Sequence, residues 1–119
     1  MGRDHRKLRA FEAADTLAQV VYKETADYPE EGLKTILRNA AIRVPTNIVD
    51  GCARSTMREY INCLTVAFGA LREVGYLVEL SEKLDYINAD RFDVMNDAYD
   101  ESAKLLAGLI RSLKERKSE

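Results

Sequence analysis

Apolar residues along the chain fall into four stretches with helical spacing, and no stretch alternates as a strand would. The first runs through Phe11, Ala14, Ala18, Val21, Thr25 and Tyr28 in steps of three and four. Pro29 ends it, because the residue before a proline is driven out of the α region, and Gly32 follows as a second break. The next stretch sets Leu33, Leu37, Ala40, Val44 and Ile48 on one face, widened by Ile36 and Ala41. Gly51 closes it, since glycine takes the left-handed conformation at a helix end without strain. Thr56-Met57-Arg58-Glu59 then reads as a capping box that starts a third helix. Its apolar series is Met57, Tyr60, Leu64, Ala67, Leu71, Val74 and Val78, with Ile61, Phe68 and Gly75 on an adjacent seam. Two seams call for more than one neighbour, and Ala67, Gly69, Ala70 and Gly75 leave room for a close one. The fourth helix follows Asn88 as N-cap. Its series of Phe92, Met95, Tyr99, Ser102, Leu106, Leu109 and Leu113 keeps the period of bundle packing.

Connections near 28–32, 51–55 and 84–88 are short, which makes consecutive helices antiparallel neighbours. The expected fold is all-α: one antiparallel up-down-up-down four-helix bundle over residues 1–119, with 1–9 as a mobile basic segment. Pro45 is the odd residue in this pattern. Inside a helix it removes one hydrogen bond and costs about 3 kcal/mol, so its neighbours are expected to compensate. The amide of Asn47 is suited to donate to a carbonyl that Pro45 frees. Asp50 is suited either to the freed backbone or to Arg54, four residues on. Contact with a ligand is the weaker reading for both.

Composition narrows the chemistry. A chain of 119 residues, 46% of them hydrophobic, buries a core without needing disulfide or metal. It has no apolar run of about 18 residues to span a membrane and no apolar signal region behind Arg3. A cytoplasmic protein is expected. Cys52 and Cys63 stand eleven apart, not at redox or metal spacing, and read as small core residues. His5 is the sole histidine. That excludes a ferritin-type di-iron site, histidine metal centres and histidine-activated nucleophiles. Phosphate-binding glycine loops are missing too. The expectation is a protein that is not an enzyme and holds no cofactor and no metal.

Folding the chain up and down separates its charges. Arg3, Arg6, Lys7, Arg9, Arg54, Arg58, Arg111, Lys114, Arg116 and Lys117 collect at one end. Asp27, Glu30, Glu31, Glu79, Glu82, Asp85, Asp90 and Asp93 collect at the other. Helix dipoles account for part of this but not for Arg3 to Arg9, which precede a helix, or Glu79 and Glu82, which end one. A net charge of −2 thus conceals a basic pole fit for an anionic partner. Arg54, Arg58, Arg111 and Lys114 are the candidate contacts. No aromatic platform is interleaved with them for stacking on single-stranded bases.

The Pro45 segment also carries a resemblance. Leu37-Arg38-Asn39-Ala40-Ala41-Ile42-Arg43-Val44-Pro45-Thr46-Asn47-Ile48-Val49-Asp50-Gly51 resembles the signature of the four-helix proteins encoded by intervening sequences of bacterial 23S ribosomal RNA genes. Glu59-Tyr60, Leu64, Ala67, Gly69-Ala70-Leu71-Arg72-Glu73 and Gly108-Leu109-Ile110-Arg111-Ser112-Leu113 extend the match over nearly the whole chain. Arg43, Asn39 and Asp50 depart from the usual small polar residue, second arginine and glutamate. The resemblance makes Arg38, Pro45, Asn47, Asp50 and Gly51 signature residues. It implies a ring-shaped homo-oligomer, a homopentamer first, without catalytic activity. RNA or a ribonucleoprotein is the partner it points to, and a protein-binding adaptor without nucleic-acid contact is the alternative.

Overall fold

The computed structural model describes residues 3–118, with side chains through 116. Four helices, α1 (Arg9–Glu24), α2 (Glu31–Cys52), α3 (Met57–Lys83) and α4 (Ala89–Ser118), follow a short 3-10 turn at His5–Lys7. Helices pack as α1–α2, α2–α3, α3–α4 and α4–α1, with no diagonal contact among the described residues. That is a square bundle measuring 48 × 20 × 20 Å. Contacts run in opposite directions along α2–α3 and along α3–α4. Tyr60 and Cys63 face Gly51 while Glu73 meets Arg43 across α2–α3. Thr65 and Phe68 lie by Ala107 to Lys114, but Gly75 lies by Tyr99, across α3–α4. The links leave no alternative: residues 53–56 span at most about 14 Å, less than half the length of α2. All four helices share one core, including Leu17, Leu37, Ile48, Leu64, Leu71, Met95 and Leu106.

Local sequence explains the ends. Glu30 caps α2, its carboxylate accepting from the amides of Gly32 and Leu33 at 2.6 and 2.9 Å. Thr56 accepts from the Glu59 amide at 3.1 Å, and Asn88 from the Arg91 amide at 2.9 Å, as their cap roles require. The α3 stop carries no glycine. Asp85 adopts φ 61°, and bonds from the Asp85 and Tyr86 amides to the carbonyls of Glu82 and Ser81 form a Schellman motif. α3 is long and apolar enough by composition alone to cross a membrane, yet Leu64, Leu71, Val74 and Val78 are spent on the bundle core.

Several expectations are corrected. α1 stops at Glu24, ahead of Pro29: beyond Thr25 the amides of Ala26 and Tyr28 bond only three residues back, to the Lys23 and Thr25 carbonyls at 3.4 and 3.1 Å. Its core line is Ala10, Ala14, Leu17 and Val21, so Phe11 is only half-buried. Ile36 does not widen the α2 face; it is 55% exposed. Residues 3–9 do not trail free. The Arg3 amide donates to the Cys52 carbonyl at 2.8 Å, and the Arg3 guanidinium lies 4.0 Å from the Tyr60 ring centroid. Leu8 packs on the core and Asp4 caps the short turn.

Gly51 is the most instructive correction. It lies inside α2 with an ordinary negative φ, so left-handedness is not its role. A Cβ there would sit 3.0 Å from Cys63 Cβ and 3.2 Å from Tyr60 Cδ1, so α2 passes α3 where a side chain fits only if Tyr60 and Cys63 give way by a few tenths of an ångström. Among the described residues, one arginine fastens the far end. Arg91 bonds Glu24 Oε1 at 3.0 Å and Asp27 Oδ1 at 2.8 Å, and also donates to the Glu24 carbonyl.

Gly51→Ala is expected to cost about 1–3 kcal/mol through overpacking, read as a lower urea midpoint. Gly51→Asn, tolerable at a left-handed cap, is expected to cost more. Arg91→Met is expected to cost about 1 kcal/mol at neutral pH through loss of the half-buried Glu24 pair. The hydrogen bond from Arg91 also holds the Asp27 carboxyl below its ordinary value of 3.8. A depressed carboxyl contributes stability above that ordinary value and loses it as pH falls through the folded one. The gap between Arg91→Met and wild type is therefore expected to narrow below about pH 4, measured by urea melts across pH.

Candidate functional site

The signature segment is occupied with its own helix. Pro45 deprives the Ala41 carbonyl of its usual donor, yet α2 remains helical to Cys52. Side chains reinforce the next two carbonyls. Thr46 Oγ1 donates to Ile42 O at 2.9 Å, and Asn47 Nδ2 to Arg43 O at 2.7 Å. Asn47 thus braces the carbonyl beside the break rather than the one Pro45 frees. Asp50 takes the second of its two expected partners, with Arg54 Nη2 3.0 Å from its Oδ2. Cys63 Sγ sits 3.7 Å from the same oxygen. Arg38 closes the end of α1. Its Nε donates to Thr25 Oγ1 at 2.8 Å, its Nη2 to the Tyr22 carbonyl at 2.9 Å, and its guanidinium covers the Tyr22 ring. A cation there also complements the negative end of the α1 dipole.

The four candidate anion contacts do not act alike. Arg54 is committed to Asp50. Arg58 is exposed in the first turn of α3, with no bonding partner among the described residues. Arg111 and Lys114 come together on one groove between α3 and α4, lined by Thr65, Phe68, Ala107, Ile110 and Glu115. Its volume is about 480 Å³. Around this end stand Arg3, Lys7, Arg9 and Arg116, while Arg6 pairs with Asp4 at 3.0 Å. The Lys117 side chain lies outside the described residues.

Nucleophiles here are held neutral. Burial pushes the Cys52 thiol up, and burial with the neighbouring Cys52 pushes the Tyr60 phenol to about 12. His5 meets Phe11 edge-on, the ring centroids 4.7 Å apart. Among the described residues no three His, Cys, Asp or Glu side chains group to hold a metal ion. What the geometry provides is a surface of fixed cations and apolar side chains, suited to binding. Sequence reasoning missed Arg91. Its signal was a cation in the first turn of a helix, against the dipole, which a tertiary carboxylate pair explains.

A family model described as 23S rRNA-intervening sequence protein matches residues 6–108. No curated protein matches the chain. A crystal structure of a protein of unknown function from the S23 ribosomal protein family of Bacteroides thetaiotaomicron superposes with a TM-score of 0.79. It is 21% identical and covers 85% of this chain and 97% of its own, which shows a shared fold. With the bundle and its Pro45 segment in place, the chain belongs to the 23S rRNA-intervening sequence protein family.

Proposed function

We propose that the protein is a non-enzymatic scaffold that assembles with copies of itself and presents its basic end to RNA or a ribonucleoprotein. The observation that carries this is charge separation without matching neutralisation. At the far end Arg91 ties up two carboxylates. At the basic end Arg58 stands exposed, Arg116 near Tyr60, and Arg3, Lys7 and Arg9 close by. Phosphate backbones are the polyanions that such spread cations bind without needing base readout. The family name, 23S rRNA-intervening sequence protein, links its members to ribosomal RNA sequences.

Self-assembly is supported by an apolar stripe on the outer face of α2 and α3. Ile36, Val66 and Tyr76 are 55%, 56% and 59% exposed. Val66, Gly69 and Tyr76 follow helical steps on one side of α3, and Gly69 leaves open space between them. The proposed assembly is a homopentamer in the cytoplasm. The same stripe favours, as a second reading, an adaptor whose partners are proteins alone.

Light scattering of purified protein is expected to give five chains of 13.5 kDa, about 68 kDa. Tyr76→Glu is expected to lower that mass. RNA retention is expected to weaken with salt, and Arg58→Glu with Arg116→Glu to flatten the logarithmic salt slope by about 0.7 per lost phosphate contact. Absence of retention at low salt removes the RNA reading, and protein partners that survive nuclease then establish the adaptor.

A further inference from the structure

We infer that the outer α2–α3 stripe of one copy seats in the groove between α1 and α4 of the next, so that copies join head to tail. This rests on the self-assembly reading above and names the surface that meets the stripe. The two faces are opposite edges of the square bundle, since α1 and α3 each pack on both α2 and α4. Their shapes differ. On the stripe Ile36 and Tyr76 stand out beside Gly69, where a Cβ would meet nothing within 4 Å. The α1–α4 face is recessed, with a groove of about 300 Å³ lined in part by Ala13, Ala98 and Leu105. The two alanines leave room for an aromatic ring. Tyrosine suits that place, because its ring takes the apolar lining while its hydroxyl stays in water.

Height and charge match as well. Copies standing parallel, with their basic ends together, touch at equal heights along the bundle. Across α3–α4, Gly75 lies against Tyr99 and Phe68 beside Ala107. The stretch of α3 that carries Gly69, Arg72 and Tyr76 is therefore level with the stretch of α4, Ala98 to Leu105, that borders the groove. Arg72 comes level with Glu101. Glu73 beside it is taken by Arg43 at 3.0 Å, which leaves Arg72 as the unmatched charge of the stripe. Around the groove two exposed carboxylates, Glu12 and Glu101, outnumber Arg9. Among the described residues Arg72, Glu12 and Glu101 have no bonding partner. A cation on the stripe thus faces net negative charge on the groove, the complementarity that fixes register between partners. Stripe on stripe is the poorer pairing. A two-fold axis midway between Val66 and Tyr76 sets Arg72 beside its own copy, like charge against like. A lateral face 48 Å long and 20 Å wide can supply the roughly 800 Å² per partner of a standard interface.

The test follows the mass of the full-length protein by light scattering over a concentration series. Arg72→Glu and Glu101→Arg are each expected to raise the concentration of half-assembly about tenfold or more, and both in one chain to restore it, because the exchanged pair attracts again. Gly69→Leu is expected to weaken assembly while leaving the fold intact by circular dichroism, since leucine is the better helix former and has open space within its own chain. Tyr76→Glu blocks the stripe and Thr16→Arg, at an exposed position lining the groove, blocks the groove. Each alone is expected to stay at 13.5 kDa, and an equal mixture to stop at two chains. That stop is the mark of a heterologous contact, because the one free stripe meets the one free groove. Wild-type mass retained by Thr16→Arg, or a double charge exchange no better than its single variants, overturns this pairing while leaving the scaffold standing. If Thr16→Arg loses helicity, the charge exchange decides. A wild-type protein that stays a single chain at every concentration removes self-assembly and this pairing with it.

Discussion

The close passage of α2 over α3 at Gly51 is the constraint on which the basic end depends. With no Cβ at that position, Tyr60 and Cys63 of α3 press against α2 backbone. The next residue, Cys52, is thereby fixed with its carbonyl turned outward to accept the Arg3 amide. Tyr60, buried in the same contact, offers its ring face to the Arg3 guanidinium. One tight crossing therefore places the α2–α3 link and the entering chain together. The helix that makes it is held straight enough to do so despite Pro45, because Thr46 and Asn47 reinforce the carbonyls next to the break. Side-chain bonds of this kind to the preceding turn often bend a helix. Beside a proline they compensate a local deficit instead.

Electrostatics divides the two ends by how their charges are paired, more than by how many there are. Arg91 reaches across from α4 to α1, and its partners Glu24 and Asp27 lie far from it in sequence. Such a pair forms only when the bundle is assembled, so it contributes to the tertiary fold. At the other end the pairs are local: Asp4 with Arg6, and Asp50 with Arg54. Exposed local pairs add little stability. They neutralise two arginines and leave the field of Arg3, Lys7, Arg9, Arg58 and Arg116 largely uncancelled. One pole is thus fastened across helices and the other by local pairs, and each keeps further charges of its own sign.

Fold class, helix number and two of the three helix caps followed from apolar spacing and from Thr56 and Asn88, because periodicity and capping are local physics. Where the sequence misled, a distant partner had intervened. The chain turns after Thr25, and Arg38 of α2 seals that turn by donating to the Thr25 hydroxyl. Gly51 carried the appearance of a helix stop, whereas its cause is the next helix, nine to twelve residues further on, pressing against it. Asp85 ends α3 in the conformation usually left to glycine, which composition does not reveal. Candidate contacts were legible only as charge. Asp50, four residues before Arg54, is a local sign that Arg54 is taken, whereas nothing local shows that Arg111 and Lys114 share an apolar groove. That difference is set by which helix faces lie opposite one another.

A consequence concerns where recognition resides in this family fold. Arg38, Asn47 and Asp50 each direct their polar atoms at the protein's own backbone or side chains. Pro45 sets a helix shape and Gly51 a helix distance. A polar atom already bonded internally has little left to offer a partner, because contact would first require breaking that bond. On the proposed function the signature is architectural, and discrimination among partners would pass to positions around it. Those are the exposed stripe of Ile36, Val66 and Tyr76, the cations beyond the α2–α3 link, and the groove above Phe68. They can differ between bundles of the same shape without disturbing the crossing that holds the shape. A common scaffold with divergent partners is the physical result expected when a signature secures packing and leaves the surface unconstrained.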